Sequence, residues 1–133
     1  MTPKYDLSVP VAVFDLDGTL TVRDAVVPFL LKAGGAKRLL AVAPKALPEF
    51  ASSWVKKDRD RAKAIATRVM LVGVAREQID SSAKSMADRI TRGWMRDDVL
   101  ARLRWHQKAG HHIVIVSASY LNYVRLVGDS LGV

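Results

Sequence analysis

The stretch Val9–Thr19, VPVAVFDLDGT, decides the fold because an apolar run ends abruptly in two carboxylates. Its first part, Val9 to Phe14, is short and rich in β-branched residues, which favours a buried β-strand. Its second part, Asp15 to Thr19, has the composition of a loop. The pattern therefore predicts a strand whose carboxyl end carries a pair of acidic side chains.

A second stretch repeats this pattern near the other end of the chain. His111 to Val116, HHIVIV, follows Gly110 and ends in Ser117-Ala118-Ser119. Two buried strands of this kind are typical of a parallel sheet. Because open α/β sheets bind ligands at the carboxyl ends of their strands, we expect the acidic loop and the serine loop to meet at one edge.

The segment between the strands has helical patterns and no run typical of a strand. The fold class is therefore α/β, a partial Rossmann-like core of parallel strands with an inserted α-helical lobe; residues 1–23 and 96–133 form the core and residues 24–95 the lobe. Within this lobe, a helix over about residues 36–54 is expected to be interrupted near Pro44 and Pro48, since proline removes a backbone donor. Helical patterns are also present at 25–32, 58–72, 76–90, 97–109 and 120–131.

Composition limits the chemistry and the location. With 133 residues, 50% of them hydrophobic, the chain has room for one domain or for a core with one inserted lobe. It has no cysteine, which excludes disulfides, thiolate metal sites and cysteine nucleophiles. No apolar stretch approaches the roughly 20 residues that cross a bilayer. We expect a cytoplasmic protein without a membrane partner.

The net charge of +8 raises the expectation of a phosphorylated or nucleic-acid partner. Most of this excess lies in residues 24–95, which hold 14 basic and 7 acidic side chains. No aromatic side chains alternate with the basic ones, so a solvated helical surface is favoured and no nucleic acid is expected. Binding to nucleic acid would show itself by a steep dependence on salt.

Asp15 and Asp17 are spaced so that both can hold a hard cation such as Mg²⁺ through oxygen atoms. One aspartate can attack phosphorus while its neighbour transfers protons. Gly18 allows the backbone to approach a phosphate, and Thr19 adds a hydroxyl. The structural alternative is a turn in which these residues serve geometry alone.

Ser117 and Ser119 place hydroxyls directly after the second strand. A phosphate oxygen can accept hydrogen bonds from Ser117 and from the free N–H groups at the start of the following helix. Taken alone, Ser119 is better explained as the N-cap of that helix.

Together, VAVFDLDGTLT and IVIVSAS resemble the first two motifs of the haloacid dehalogenase superfamily, in the subfamily IB branch that includes phosphoserine phosphatase. The resemblance implies a Mg²⁺-dependent hydrolase with a helical cap that acts on a small phosphorylated metabolite through an aspartyl-phosphate. By position, it implies that Asp15 is the nucleophile, Asp17 the general acid/base and Ser117 a phosphate-binding hydroxyl.

The resemblance also implies the remaining ligands. Mg²⁺ is expected on the Asp15 carboxylate and the Asp17 backbone carbonyl, with an acidic residue of a later motif. Asp24 occupies the position of a Glu that contacts the substrate's amine in phosphoserine phosphatases, which makes Asp24 and its neighbour Arg23 the expected substrate-binding residues.

The family's third motif supplies a Lys and its fourth supplies acidic metal ligands, both beyond the serine loop. Because the sequence stops at Val133, we expect a truncated form. The alternative function is a catalytically incomplete fragment that binds phosphate or a partner. Uncovered strand edges also indicate self-association. A weaker alternative is the Asp-x-Asp metal clasp of a nucleotide-sugar transferase.

Overall fold

The computed structural model describes residue 6, residues 8–56 and residues 58–133. This part of the chain contains two β-strands and six α-helices. In order they are β1 (Val11–Asp15), α1 (Val26–Gly34), α2 (Ala36–Val55), α3 (Arg59–Leu71), α4 (Arg76–Gly93), α5 (Asp97–Lys108), β2 (His112–Val116) and α6 (Leu121–Leu131). The remaining residues of the predicted domains, 1–5, 7 and 57, lie outside this description.

The two strands pair in parallel, which confirms the predicted sheet. The register aligns Val11 with His112 and Asp15 with Val116. The first strand begins two residues later than the apolar run because Pro10 has no N–H to donate to a ladder. Its carbonyl still accepts a hydrogen bond from the His112 N–H, at 3.0 Å.

Only one face of β1 is buried, whereas the sequence predicts a strand buried on both faces. Ala12 and Phe14 are buried, and Val11 and Val13 on the opposite face are exposed. Successive side chains of a strand point to opposite faces of the sheet, so burying all of them requires a covering layer on each face. No such layer covers Val11 and Val13 within the described residues.

The chain divides into two compact units, each of which has its own core. The first contains the residues up to Asp24 and residues 87–133, and the second contains residues 25–86. The buried apolar side chains of the first unit include Ala12, Phe14, Leu16, Leu20, Leu103, Tyr123 and Val127. Those of the second unit include Phe29, Leu30, Ala33, Ala46, Ile65, Met70, Ala83 and Met86. The interpretation of residues 24–95 as a functional cap stays a prediction.

Close helix contacts hold the second unit together. A Cβ on Gly34 would lie 2.5 Å from the Met70 carbonyl oxygen, so only glycine allows α1 and α3 to approach this closely. The Arg38 guanidinium donates to the carbonyl oxygens of Val69, at 2.7 Å, and Val72. These two bonds satisfy acceptors at the carboxyl end of α3 that have no partner within the helix.

The two prolines of α2 do not interrupt it, and the predicted breaks are wrong. One helix runs from Ala36 to Val55 with Pro44 and Pro48 inside. Each proline frees the carbonyl four residues earlier from its helical bond. Both prolines are exposed, so they stand on the solvent side of the helix, where water can hydrate the freed carbonyls.

Candidate active site

The ends of the two strands place the acidic loop beside the serine loop. Asp15 pairs with Val116 in the sheet register, and Ser117 follows at once. The Ser117 hydroxyl lies 3.4 Å from the Asp17 Oδ2 atom, although the two residues are 100 positions apart. The structure therefore brings Asp15, Asp17 and Ser117 to one edge of the sheet, as the sequence predicts.

The residues after β1, Leu16–Leu20, form a tight loop that is closed by the Thr21 N–H donating to the Leu16 carbonyl at 3.0 Å, and Asp17 and Gly18 inside it have non-helical backbone angles. Leu16 and Leu20 are buried and anchor the turn at both ends. Between them Gly18 has φ +78°, a left-handed conformation that side chains disfavour. A Cβ at Gly18 would meet no atom within 4 Å, so the turn leaves open space at this point.

Thr21 organises this turn from inside, although the sequence gives it no site role. Its hydroxyl is fully buried and accepts a hydrogen bond from the Gly18 N–H at 3.3 Å. The same hydroxyl lies 3.1 Å from the Leu16 carbonyl and 2.7 Å from the Arg23 carbonyl. Its single proton can donate to one carbonyl at a time. One buried side chain thus connects the start, middle and exit of the loop.

Ser119 contacts the second aspartate directly. Its hydroxyl donates to the Asp17 Oδ2 atom, and its backbone N–H donates to the Ser117 hydroxyl at 3.0 Å. The alternative of Ser119 as an N-cap is wrong, because the cap position of α6 is Tyr120 and the Ser119 hydroxyl bonds to Asp17. Two serine hydroxyls therefore converge on one carboxylate oxygen.

Tyr123, in the first turn of α6, lies next to the cluster formed by Asp17, Ser117 and Ser119. Its side chain is fully buried. Burial raises the pKa of the Tyr123 phenol, the Asp17 and Asp24 carboxylates raise it further, and the Ser119 hydroxyl opposes the rise. The phenol consequently keeps its proton at neutral pH beside the two carboxylates.

The donor set at the edge of the sheet fits Mg²⁺. Asp15 is exposed, and its Oδ2 atom accepts a hydrogen bond from the Thr19 hydroxyl at 3.3 Å. Within the described residues, no three acidic or histidine side chains are grouped to hold a metal ion. Mg²⁺ commonly uses one or two carboxylates and completes its shell with water and substrate phosphate. Asp15 supplies one such carboxylate, and the Asp17 backbone carbonyl is the second oxygen donor expected here.

The two expected substrate residues have different surroundings: Asp24 acts electrostatically on Tyr123, and Arg23 lies over an indole ring. The Asp24 carboxylate is close enough to Tyr123 to affect its pKa. The Arg23 guanidinium lies 5.0 Å from the centre of the Trp94 ring, and the Val22 N–H donates to the Trp94 carbonyl at 2.8 Å. Among the described contacts of Arg23, none reaches Asp15.

The sequence matches one protein-family model along most of its length. This model, for haloacid dehalogenase-like hydrolases, covers residues 12–133, which include both strands and both loops. The chain belongs to this family. Its parallel strands and flanking helices form a partial Rossmann-like α/β core of a haloacid dehalogenase-like hydrolase.

Two curated relatives of this haloacid dehalogenase-like hydrolase are named Protein CicA and come from Caulobacter vibrioides, strains NA1000 / CB15N and ATCC 19089 / CIP 103742 / CB 15. Each is 33% identical to this chain over 106 residues. The match covers 80% of this chain and 47% of each relative, so the chain spans about half the length of these relatives. No solved structure gave a significant match.

The sequence did not predict three residues of the site in this hydrolase: Thr21, Ser119 and Tyr123. Thr21 lies in the quoted VAVFDLDGTLT, where its spacing from Gly18 is the available signal. Tyr123 stands four residues after Ser119, on the helix turn that follows the serine loop. In each case the role depends on a partner elsewhere in the chain, which local pattern does not reveal.

Proposed function

We propose that this haloacid dehalogenase-like hydrolase is a Mg²⁺-dependent phosphomonoester phosphatase of the phosphoserine phosphatase-like subfamily IB. One observation supports this above all others: the Ser117 hydroxyl lies 3.4 Å from the Asp17 carboxylate, at strand ends whose register sets Asp15 beside Val116. Two carboxylates, a serine hydroxyl and the open space beside Gly18 thus lie at one edge of the sheet, and they are the groups that the proposed phosphoryl transfer requires. A cytoplasmic location stays a prediction.

In the proposed reaction, a carboxylate oxygen of Asp15 attacks phosphorus. The bond between phosphorus and the ester oxygen breaks, and that oxygen takes a proton from the Asp17 carboxyl as the alcohol leaves. The product on the protein is an aspartyl-phosphate at Asp15. Asp15 suits the role of nucleophile because it is exposed at the strand end and its Oδ2 atom is oriented by Thr19.

In the second half of the reaction, Asp17 accepts a proton from a water molecule as that water attacks phosphorus. The acyl–phosphate bond then breaks, which returns the Asp15 carboxylate and releases inorganic phosphate. The hydroxyls of Ser119 and Ser117 both point to the Asp17 Oδ2 atom, which fixes the rotation of the carboxylate. A general acid/base that is held in one orientation loses less freedom in the transition state.

The phosphoryl oxygens would contact the Ser117 and Thr19 hydroxyls and the backbone of Gly18, which has no side chain to block approach. The Asp15 carboxylate and the Asp17 backbone carbonyl would hold Mg²⁺, which when bound offsets the repulsion between the carboxylates and the anionic substrate. Asp24, near Tyr123, and Arg23 are the proposed contacts for the alcohol part of a small phosphorylated metabolite.

The test is release of phosphate from p-nitrophenyl phosphate by the purified chain, with and without Mg²⁺. Asp15→Asn should lower the rate by about 10³-fold or more, because it removes the nucleophile without changing its size. Asp17→Asn should lower it by about 10²- to 10⁴-fold. Asp129→Asn, an exposed carboxylate on α6, is the matched control and should act like the wild type. Equal turnover by wild type and Asp15→Asn rejects the assignment.

A phosphate-binding role without turnover is the second candidate. It is favoured by the lack, within the described residues, of any group of three metal-ligating side chains. Calorimetric titration with orthovanadate separates the two functions. Binding that Ser117→Ala abolishes, in a chain that hydrolyses no phosphomonoester, supports the second candidate and rejects the first.

A further inference from the structure

The outer side of α2 carries an apolar stripe along most of its length. Leu40 is 75% exposed, Leu47 65% and Val55 83%. The intervening Pro44 and Ala51 are exposed as well. These five positions follow one another at intervals of three or four residues, so they share one side of the helix. Large apolar side chains that are exposed in a continuous line mark an interaction surface.

The polar residues beside this stripe are basic. Lys37 and Lys45 are exposed on α2. The acidic residue of this helix, Glu49, is neutralised by the Arg68 guanidinium at 2.7 Å. The surrounding unit, residues 25–86, contains 12 Lys and Arg against 5 Asp and Glu, a net charge of +7. The stripe therefore lies in a strongly positive field that attracts an anionic partner.

We propose that the α2 surface, defined as Leu40, Pro44, Leu47, Ala51 and Val55 with Lys37 and Lys45, binds bilayers that contain anionic phospholipid. An amphipathic helix with this arrangement lies parallel to the membrane, with its apolar side chains at the boundary between headgroups and acyl chains. The lysines then lie at the level of the lipid phosphates. None of the helices in the described part of the chain is long and apolar enough to cross a membrane.

The apolar stripe favours a membrane over nucleic acid as the anionic partner. Nucleic acids are bound mainly through phosphate contacts and aromatic stacking, which give a line of leucine and valine side chains no role. The proposal departs from the expectation of no membrane partner. That expectation rested on the lack of an apolar stretch long enough to cross a bilayer. A surface stripe needs no such stretch, and this one is continuous because α2 runs through both prolines.

The experiment is flotation of the purified chain with vesicles of phosphatidylcholine alone or mixed with phosphatidylglycerol. We expect the chain to float with the mixed vesicles and to remain in the bottom fraction when only phosphatidylcholine vesicles are present. Leu40→Ser combined with Leu47→Ser should lower the bound fraction at least about tenfold, because two large apolar side chains are lost from the interface. Leu121→Ser removes a leucine that is 72% exposed in the other unit and should float like the wild type.

A second pair of variants tests where the charge acts. Lys37→Gln with Lys45→Gln should weaken flotation and reduce its dependence on salt. Lys32→Gln with Lys84→Gln removes the same charge from exposed positions of the same unit outside the stripe, and should weaken flotation less. Equal losses in the two pairs would show a diffuse charge effect and overturn the assignment to α2.

Two further outcomes would also overturn it. One is an absence of flotation with phosphatidylglycerol vesicles at low salt. The other is capture of the chain by immobilised polyglutamate, weakened by the double leucine variant, in the absence of vesicle binding; this result would assign the surface to an acidic protein partner. Neither outcome bears on the phosphatase assay, so the two proposals fail separately.

Discussion

The Ser119 hydroxyl donates a hydrogen bond to the Asp17 carboxylate across 102 residues of sequence. This contact joins the loop after β2 to the loop after β1, next to the parallel ladder that ends at Asp15 and Val116. It holds the acidic loop at Asp17, whereas Thr21 bonds to the backbone of the same loop. The geometry of the candidate site therefore depends on residues from both ends of the chain.

Replacement of Ser119 by alanine should lower the free energy of unfolding by about 1 kcal/mol, since one hydrogen bond to a half-buried carboxylate is lost and water can partly replace it. Urea unfolding followed by circular dichroism measures this change. The control is Ser130→Ala, whose hydroxyl bonds to the Val127 carbonyl of its own helix, at 2.7 Å. A loss in Ser119→Ala no larger than in this control would contradict a connecting role.

The substitution Thr21→Val preserves shape and removes the buried hydroxyl. The Gly18 N–H loses its acceptor and the Arg23 carbonyl loses the hydroxyl donor, whereas the Leu16 carbonyl keeps the bond from the Thr21 N–H. Leaving buried polar groups unpaired costs about 1–3 kcal/mol of unfolding free energy. Phosphatase activity should fall with it, because the loop that positions Asp17 loosens.

Thr19→Val is the matched control for this prediction in urea unfolding. The Thr19 hydroxyl is half-exposed and bonds to the exposed Asp15 carboxylate at 3.3 Å, so water can take its place and stability should change little. If Thr19→Val destabilises the chain as much as Thr21→Val, the internal bonds of Thr21 are not what holds the turn.

Local pattern is sufficient for the strands and for most helices of this chain. The apolar run that ends in Asp15 predicts a strand end. The spacing of Ile79, Ala83, Met86 and Ile90 predicts the buried side of α4, and the structure buries the last three and half-buries Ile79. These inferences hold because periodicity records which side of an element avoids water. The edge location of Asp17 and Ser117 follows from the geometry of parallel sheets.

The features that the sequence did not predict depend on which residues become neighbours in space after folding. Whether Val11 and Val13 are covered is decided by the presence of a second layer, not by their own apolar character. Whether Pro44 breaks a helix is decided by the side on which it stands. Ser119 has the local signature of a cap, and its bond to Asp17 exists only once two distant loops have met.

Gly18 and Gly93 form a matched pair for a test of backbone strain. Neither would place a new Cβ within 4 Å of another atom, but only Gly18 has a positive φ, of +78°. Gly18→Ala should destabilise the chain by about 1–2 kcal/mol through strain alone. Gly93→Ala, at the end of α4, should be neutral or stabilise by up to about 1 kcal/mol, since alanine reduces the freedom of the unfolded chain.

Thermal and urea unfolding of both glycine variants provide the measurement. Opposite signs support a loop conformation that requires glycine at position 18. Comparable effects at the two positions would indicate that the loop relaxes to a negative φ without cost, and the open space beside Gly18 would then not be a fixed feature of the phosphate site.

The pairing of His106 with His111 gives the folded chain a pH dependence near neutrality. Their Nδ1 atoms lie 2.8 Å apart, a contact that needs one protonated and one unprotonated nitrogen. Desolvation by burial lowers the pKa of His106, and electrostatic repulsion from Arg102 and His111 lowers it further. In the unfolded chain the same side chain titrates at about 6.5. Below that pH the unfolded state binds more protons, so the free energy of unfolding falls as pH decreases.

We expect this part of the stability to be complete above about pH 6.5 and to be lost as the pH falls through the lower folded pKa of His106. His106→Asn keeps a polar atom near the Nδ1 position and removes the titration, so its unfolding free energy should vary less between about pH 7.5 and 5.5. The control is Asp98→Asn. The pKa of Asp98 is lowered by its bond to Arg96, so its effect on stability belongs to pH values near 4 and below. Plotted against pH in this window, the unfolding free energy of His106→Asn should have a smaller slope than that of the wild type, and Asp98→Asn should have the wild-type slope. Identical slopes for all three proteins would show that the titration near neutral pH lies outside the His106–His111 pair.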